Sequence, residues 1–201
     1  HTIRRRCVAF LAIGAMAALA MPSTAQAAPQ LADLGVKQSM SVKASNGESL
    51  EGKDLRAIQL ATYTAASVDG NTIVGYDLTT NTALASDITA AAKAAGATDT
   101  NLTINGKNDP MVWVVKNLTD SRSDPWSGKL RNFCNSLAKQ TNFAKQDGTA
   151  VSTLSQDKAT MSTGNVLVPG IYAIVDRTPA TTTLSSGTAI KTTASIMMMN
   201  G

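Results

Sequence analysis

The chain is poor in cysteine, histidine and aromatic residues. Its 201 residues include two cysteines, Cys7 and Cys134, and one histidine, His1. Aromatic residues make up 4% of it, so there is little material for a sugar-stacking cleft. Beyond residue 27 no run of like charge stands out, and the lysines are spread evenly, which argues against a nucleic-acid or acidic-surface binder. No apolar stretch reaches the ~20 residues that a stable membrane-spanning helix needs. The longest, Cys7 to Ala20, follows Arg4-Arg5-Arg6 and is closed by Met21-Pro22 and Ala25-Gln26-Ala27. A positive start, a short apolar core and small residues at the end make residues 1–27 a secretory signal peptide. Cys7 precedes the apolar run, so lipid attachment at a mature N-terminal cysteine is not expected.

Removing that leader takes His1, Cys7 and three of the 18 basic residues but none of the 14 acidic ones. The mature chain, residues 28–201, therefore carries 15 basic against 14 acidic residues and is nearly neutral. With one cysteine and no histidine it has no internal disulfide, no usual zinc site and no Cys–His or Ser–His nucleophile. A chain of this size can bury roughly 70% of its unfolded surface without such staples. The expectation is a non-enzymatic protein with no cofactor and no metal, working outside the cytoplasm. Asp99-x-Asn101 opens like a calcium loop, but Gly106 is out of register and no closing Glu follows. Asn101-Leu102-Thr103 and Asn117-Leu118-Thr119 match the glycosylation sequon, a three-residue pattern that by itself means little.

The pattern predicts a β-sheet scaffold with two helical insertions. Leu55, Ala57, Gln59, Ala61 and Tyr63 alternate with other residues, and Asp69-Gly70-Asn71 leads into Thr72–Leu78, giving a β-hairpin. Ser86 is placed to cap a helix over Asp87–Ala95, closed by Gly96, with Leu84, Ile88, Ala91 and Ala95 on one face. Met111–Val115 is expected as a short strand, followed by a turn-rich patch from Asp120 to Ser127. A second helix is expected from Gly128 to Lys145, because Leu130, Phe133, Cys134, Leu137 and Ala138 form one apolar stripe. On that stripe Cys134 is expected to be a small buried hydrophobe, not a reactive thiol. Residues 147–164 carry no clear pattern. Ile171–Val175 and Ala194–Met199 are expected as strands.

The segment Leu167-Val168-Pro169-Gly170-Ile171-Tyr172-Ala173-Ile174-Val175-Asp176 resembles the signature of collagen-adhesin B-type domains in Gram-positive surface proteins. Pro169-Gly170 makes a turn, after which Tyr172, Ile174 and Asp176 share one face of a strand. The wider layout is similar to the N-terminal domain of sortase-assembled fimbrial backbone subunits: Leu50-x-Gly52 with a hairpin, a helix, the stretch Asn117–Arg131, then the Pro-Gly-x-Tyr strand. The similarity covers most of residues 40–201. It implies a mainly β fold, an Ig-like (collagen-adhesin B-type) β-sandwich with two helical insertions. The implied function is a structural subunit of a cell-surface fimbria or pilus, exported to the cell wall. Its implied partners are neighbouring pilin subunits, joined covalently by a sortase, together with host surface ligands, and neither nucleic acid nor, after signal cleavage, a membrane. A module that binds host glycan or matrix protein through its loops is the alternative, and a secreted hydrolase a more distant one.

The resemblance also implies an internal Lys–Asn isopeptide bond. There a neutral lysine amine attacks a carboxamide beside a protonated acid, and burial brings both groups to the required state. Asp176 takes the acid position, Asn200 is the candidate acceptor and Lys43 the candidate nucleophile. By strand parity, however, Lys43 goes with Ser39 and Ser41 while Met40 and Val42 face the other way, which turns Lys43 to solvent unless a bulge intervenes. The chain starts with His, and no LPxTG-type signal follows Gly201, so the expectation is a fragment of a longer surface protein.

Overall fold

The computed structural model describes residues 28–45, 47–70, 72–118 and 128–179, with the backbone of 181–183, 189–191 and 196–200. The expected signal peptide and the expected Asp120–Ser127 turn patch lie outside the described residues. In chain order the first elements are β1 (Gln30–Leu31), β2 (Ser41–Lys43), β3 (Leu55–Asp69) and β4 (Thr72–Thr80). Next come α1 (Ala85–Ala94), α2 (Asp99–Leu102), β5 (Thr103–Ile104), β6 (Lys107–Asn108), α3 (Pro110–Asn117), α4 (Gly128–Leu137) and α5 (Thr141–Ala144). The last are β7 (Thr149–Val151), β8 (Thr153–Leu154), β9 (Thr160–Ser162), β10 (Gly170–Asp176), β11 (Thr181–Thr183), β12 (Ala189–Lys191) and β13 (Ile196–Asn200).

The protein is β-rich and its strand pairs are antiparallel. The main sheet is built on β3, which has β10 and β1 along one edge and β7 and β4 along the other; β13 lies outside β10. A small sheet, β2–β9–β8, and two two-stranded hairpins, β5–β6 and β11–β12, complete the strands. Two buried clusters flank the main sheet. One gathers Ile58, Leu60, Ala61, Tyr63, Ile171 and Ala173 under α1, α3 and α4. The other gathers Leu55, Ala57, Tyr172 and Ile174 under Met40, Met161 and Val151 of the small-sheet side. Successive residues of β10 thus enter opposite clusters, which is why its sequence is a continuous apolar run and not an alternating one.

The hairpin of β3 and β4 forms as expected, with Asp69 opposite Thr72, but the face assignment of β3 changes along its length. Ile171 stands opposite Ala61 and Tyr172 opposite Gln59, so Leu60 is an extra residue in β3. This bulge reverses the parity. Before it, Leu55 and Ala57 face the small sheet; after it, Ala61 and Tyr63 face the helices. The expected single alternating face is two half-faces.

Three further expectations are corrected. Met111–Val115 is not a strand but part of α3, with Pro110 at its first position, where a missing N–H costs nothing. Met111, Val114 and Leu118 are its buried side, at i, i+3 and i+7. The helix expected from Gly128 to Lys145 ends at Leu137 and restarts as α5. The stripe Phe133, Cys134 and Leu137 is buried as expected, whereas Ala138 is exposed. Ser86 caps nothing. The chain turns helical earlier, at Asn81, whose side chain accepts from Ala83 N at 3.1 Å, and α1 begins at Ala85. Gly96 does close that helix, at φ +105° with Ala97 N bonded to Ala92 O. Residues 147–164, patternless in sequence, hold the three short strands β7, β8 and β9.

Candidate functional site

The Pro-Gly-x-Tyr segment works as a lock at the start of β10. The Tyr172 hydroxyl donates to Val168 O at 2.6 Å and accepts from Gln59 Nε2 at 3.0 Å, closing the chain's turn onto β3. Tyr63 N donates to Pro169 O at 3.2 Å. Gly170 sits directly on the β3 bulge, where an added Cβ would lie 2.2 Å from Ala61 O. Only glycine allows that approach. Burial raises the Tyr172 phenol above its ordinary pKa, against the opposing pull of its bonds to Gln59 and Val168.

Four residues past Tyr172, the same face of β10 ends in Asp176. Its Oδ2 lies 3.3 Å from Lys53 Nζ, and the two side chains are 10% and 19% exposed. Asp176 Oδ1 accepts from Thr178 N at 2.9 Å and from Thr178 Oγ1 at 2.5 Å, while Asp54 N donates to Thr178 Oγ1 at 2.8 Å. Arg177 N donates to Asp54 O at 2.7 Å. Lys53 is delivered by a turn in which Lys53 N bonds Leu50 O at 3.1 Å and Gly52 takes φ +76°. The Leu50-x-Gly52 element therefore presents a lysine to the acid of the Pro-Gly-x-Tyr strand. A charge pair this far out of water holds together only when its remaining hydrogen-bonding positions are met, and Thr178 meets those of Asp176.

The structure does not bring Lys43, Asp176 and Asn200 together. Lys43 lies on β2 opposite Thr160, exposed as parity expects, and its charge acts on Asp157. Asn200 stands opposite Ile171, and the register runs from there to Val175 opposite Ile196. Asn200 and Asp176 thus belong to opposite ends of β10, on the order of 16 Å apart at strand rise. The lysine beside Asp176 is Lys53. Its signal in the sequence was the glycine turn immediately before the longest strand.

Among the described residues no group of three or more His, Cys, Asp or Glu is placed to hold a metal ion. No described helix is long and apolar enough to cross a membrane. A shallow groove beside Tyr172, of about 290 Å³, is lined by Gln59, Asn81, Gln146, Thr149, Val166 and Val168 among others, none of them charged. The arrangement as a whole joins strand ends. No protein-family model matches the chain, and no curated protein or solved structure shows significant similarity to it.

Proposed function

We propose that this chain is an exported structural subunit of a bacterial cell-surface fimbria, the N-terminal domain of a sortase-assembled shaft protein. In this reading β3, β10 and the small sheet form the Ig-like, collagen-adhesin B-type sandwich, and the helices are its insertions. The observation that carries it is the β10 strand itself: the Pro169-Gly170-x-Tyr172 lock at one end and Asp176 against Lys53 at the other. A shaft subunit is loaded along its length, and a β3–β10 pair tied at both ends resists sliding better than a ladder alone.

The tie is non-covalent in this domain, since the amide acceptor position and the acid are at opposite ends of β10. The intact mature domain should therefore have its full sequence mass. A deficit of about 17 Da would mark the ammonia released by a Lys–Asn bond, whose chemistry requires the buried, neutral lysine discussed above. For the fimbrial role, cell-wall extracts of the producing bacterium can be probed with antibody to this domain. A high-mass ladder that survives boiling in detergent and vanishes when the sortase is inactivated is expected. A single band at monomer mass overturns the proposal.

A further inference from the structure

One segment wraps around the edge of the main sheet with little apolar anchorage. From residue 141 to 148 only Phe143 is buried, 1% exposed, in the helical cluster; Val151 then enters the small-sheet cluster on the other face. The chain crosses between the two faces at Gly148, φ +67°, where a Cβ would lie 2.7 Å from Ala57 O. Two charged side chains hold the crossing. Asp87 of α1 accepts from Phe143 N at 2.8 Å and from Asn142 Nδ2 at 3.1 Å. Arg177, just past β10, donates from Nη1 to Ala144 O at 2.8 Å and from Nη2 to Gln146 O at 2.7 Å. Its Nε is buried without a hydrogen-bond partner among the described residues, an arrangement that costs stability. β7 adds three register pairs with β3.

We infer that residues 140–151 are a detachable strap that opens as a unit while the rest of the fold stays closed. What it shields is the edge of β3. On that edge β4 pairs from Ala61 onward and β7 covers only Leu55–Ala57. Between them, among the described residues, Asn81 serves the backbone, through Nδ2 to Gln59 O at 2.9 Å and its own N to Leu60 O at 2.8 Å. Release of the strap leaves the edge bare from Leu55 to Ile58, and an open strand edge is a template for pairing with another chain. The strap is a guard on that edge, and its charged clamps set how often it lifts.

Hydrogen exchange of the folded mature protein, read by mass spectrometry across low urea concentrations, tests this. Amides of residues 142–151 should exchange ahead of those of β10 and with little urea dependence, the mark of a local opening. Arg177→Ala should speed the strap amides on the order of tenfold or more, the scale of losing two charge-assisted hydrogen bonds, and leave β10 unchanged. Arg177→Lys, keeping the charge but not the fork, should fall between. The inference is overturned if strap and β10 amides share one steep urea slope, or if Arg177→Ala speeds every amide alike. Should that variant not fold, the wild-type slopes alone decide.

Discussion

The two halves of β3 are one strand in two very different settings. From Leu55 to Ala61 it lies between two buried clusters, with β10 locked against it by Tyr172 at one end and by Lys53 and Asp176 at the other. From Thr64 to Asp69 it pairs with β4 in a hairpin whose tip is exposed, and Ile73 and Val74 of β4 remain 37% and 49% accessible. Both halves are paired along one edge, the first by β10 and the second by β4, so the ladder does not separate them. Side-chain burial does, and with it the cost of any change.

The largest effect should come from Gly170→Ala. A Cβ there meets a backbone carbonyl that cannot move without dismantling the bulge, so a loss of about 4 kcal/mol or failure to fold is expected in chemical denaturation. A stable Gly170→Ala protein would mean that the close approach is not what fixes the turn. Next is Asp176→Ala, which removes the carboxylate that holds both Lys53 and Thr178 and should cost about 3 kcal/mol. A loss under about 1 kcal/mol would place this pair with ordinary surface pairs and erase the contrast.

Alkaline titration sharpens the comparison at its boundary. The three tyrosines are Tyr63, Tyr76 and Tyr172, and burial raises the pKa of each; Tyr76 pushes Tyr63 up further. A raised folded pKa gives stability that is full below the unfolded value of about 10 and is lost as pH climbs through the folded values. Phenolate absorbance should therefore rise together with loss of the fold, above the pH of a free tyrosine. Tyr172→Phe leaves Tyr63 and Tyr76 to report alone, and a non-cooperative rise with a midpoint near pH 10 in that variant would show the hairpin root to be open to water. The smallest effect is expected from Val74→Ser at the exposed hairpin edge, within about 0.5 kcal/mol of the parent. A large loss there would show that the tip is covered in solution.

What was legible in the sequence follows the same division. Asp69-Gly70-Asn71 announces the hairpin because only a few residue types accept a tight turn, and the Phe133–Cys134–Leu137 stripe announces α4 because its period is helical. Pro169-Gly170 with Tyr172 was readable as a turn into a strand, and the exposure of Lys43 followed from parity. Met111–Val115 was not legible: a short apolar run has no period, and only Pro110 hinted at a helix start. Residues 147–164 gave no signal because their strands are two or three residues long and mostly half-covered. The site was half legible. Asp176 follows from its motif, but its partner depended on which lysine the Leu50–Lys53 turn delivers, a three-dimensional fact.

The extra residue at Leu60 gives the chain two addressing frames. From it to the next irregularity, at Thr64, the side chains of β3 are assigned to a layer by counting from the bulge, not from the start of the strand. Deleting Leu60 would remove the spare residue itself: Ala61 would follow Gln59 directly, and Ala61 and Tyr63 would still face the helices in an unbroken alternation. Length changes at the Gly70 tip would likewise readdress nothing already laid down in β3. A one-residue deletion is therefore absorbed at both places, by the bulge at one end of the hairpin and by the turn at the other.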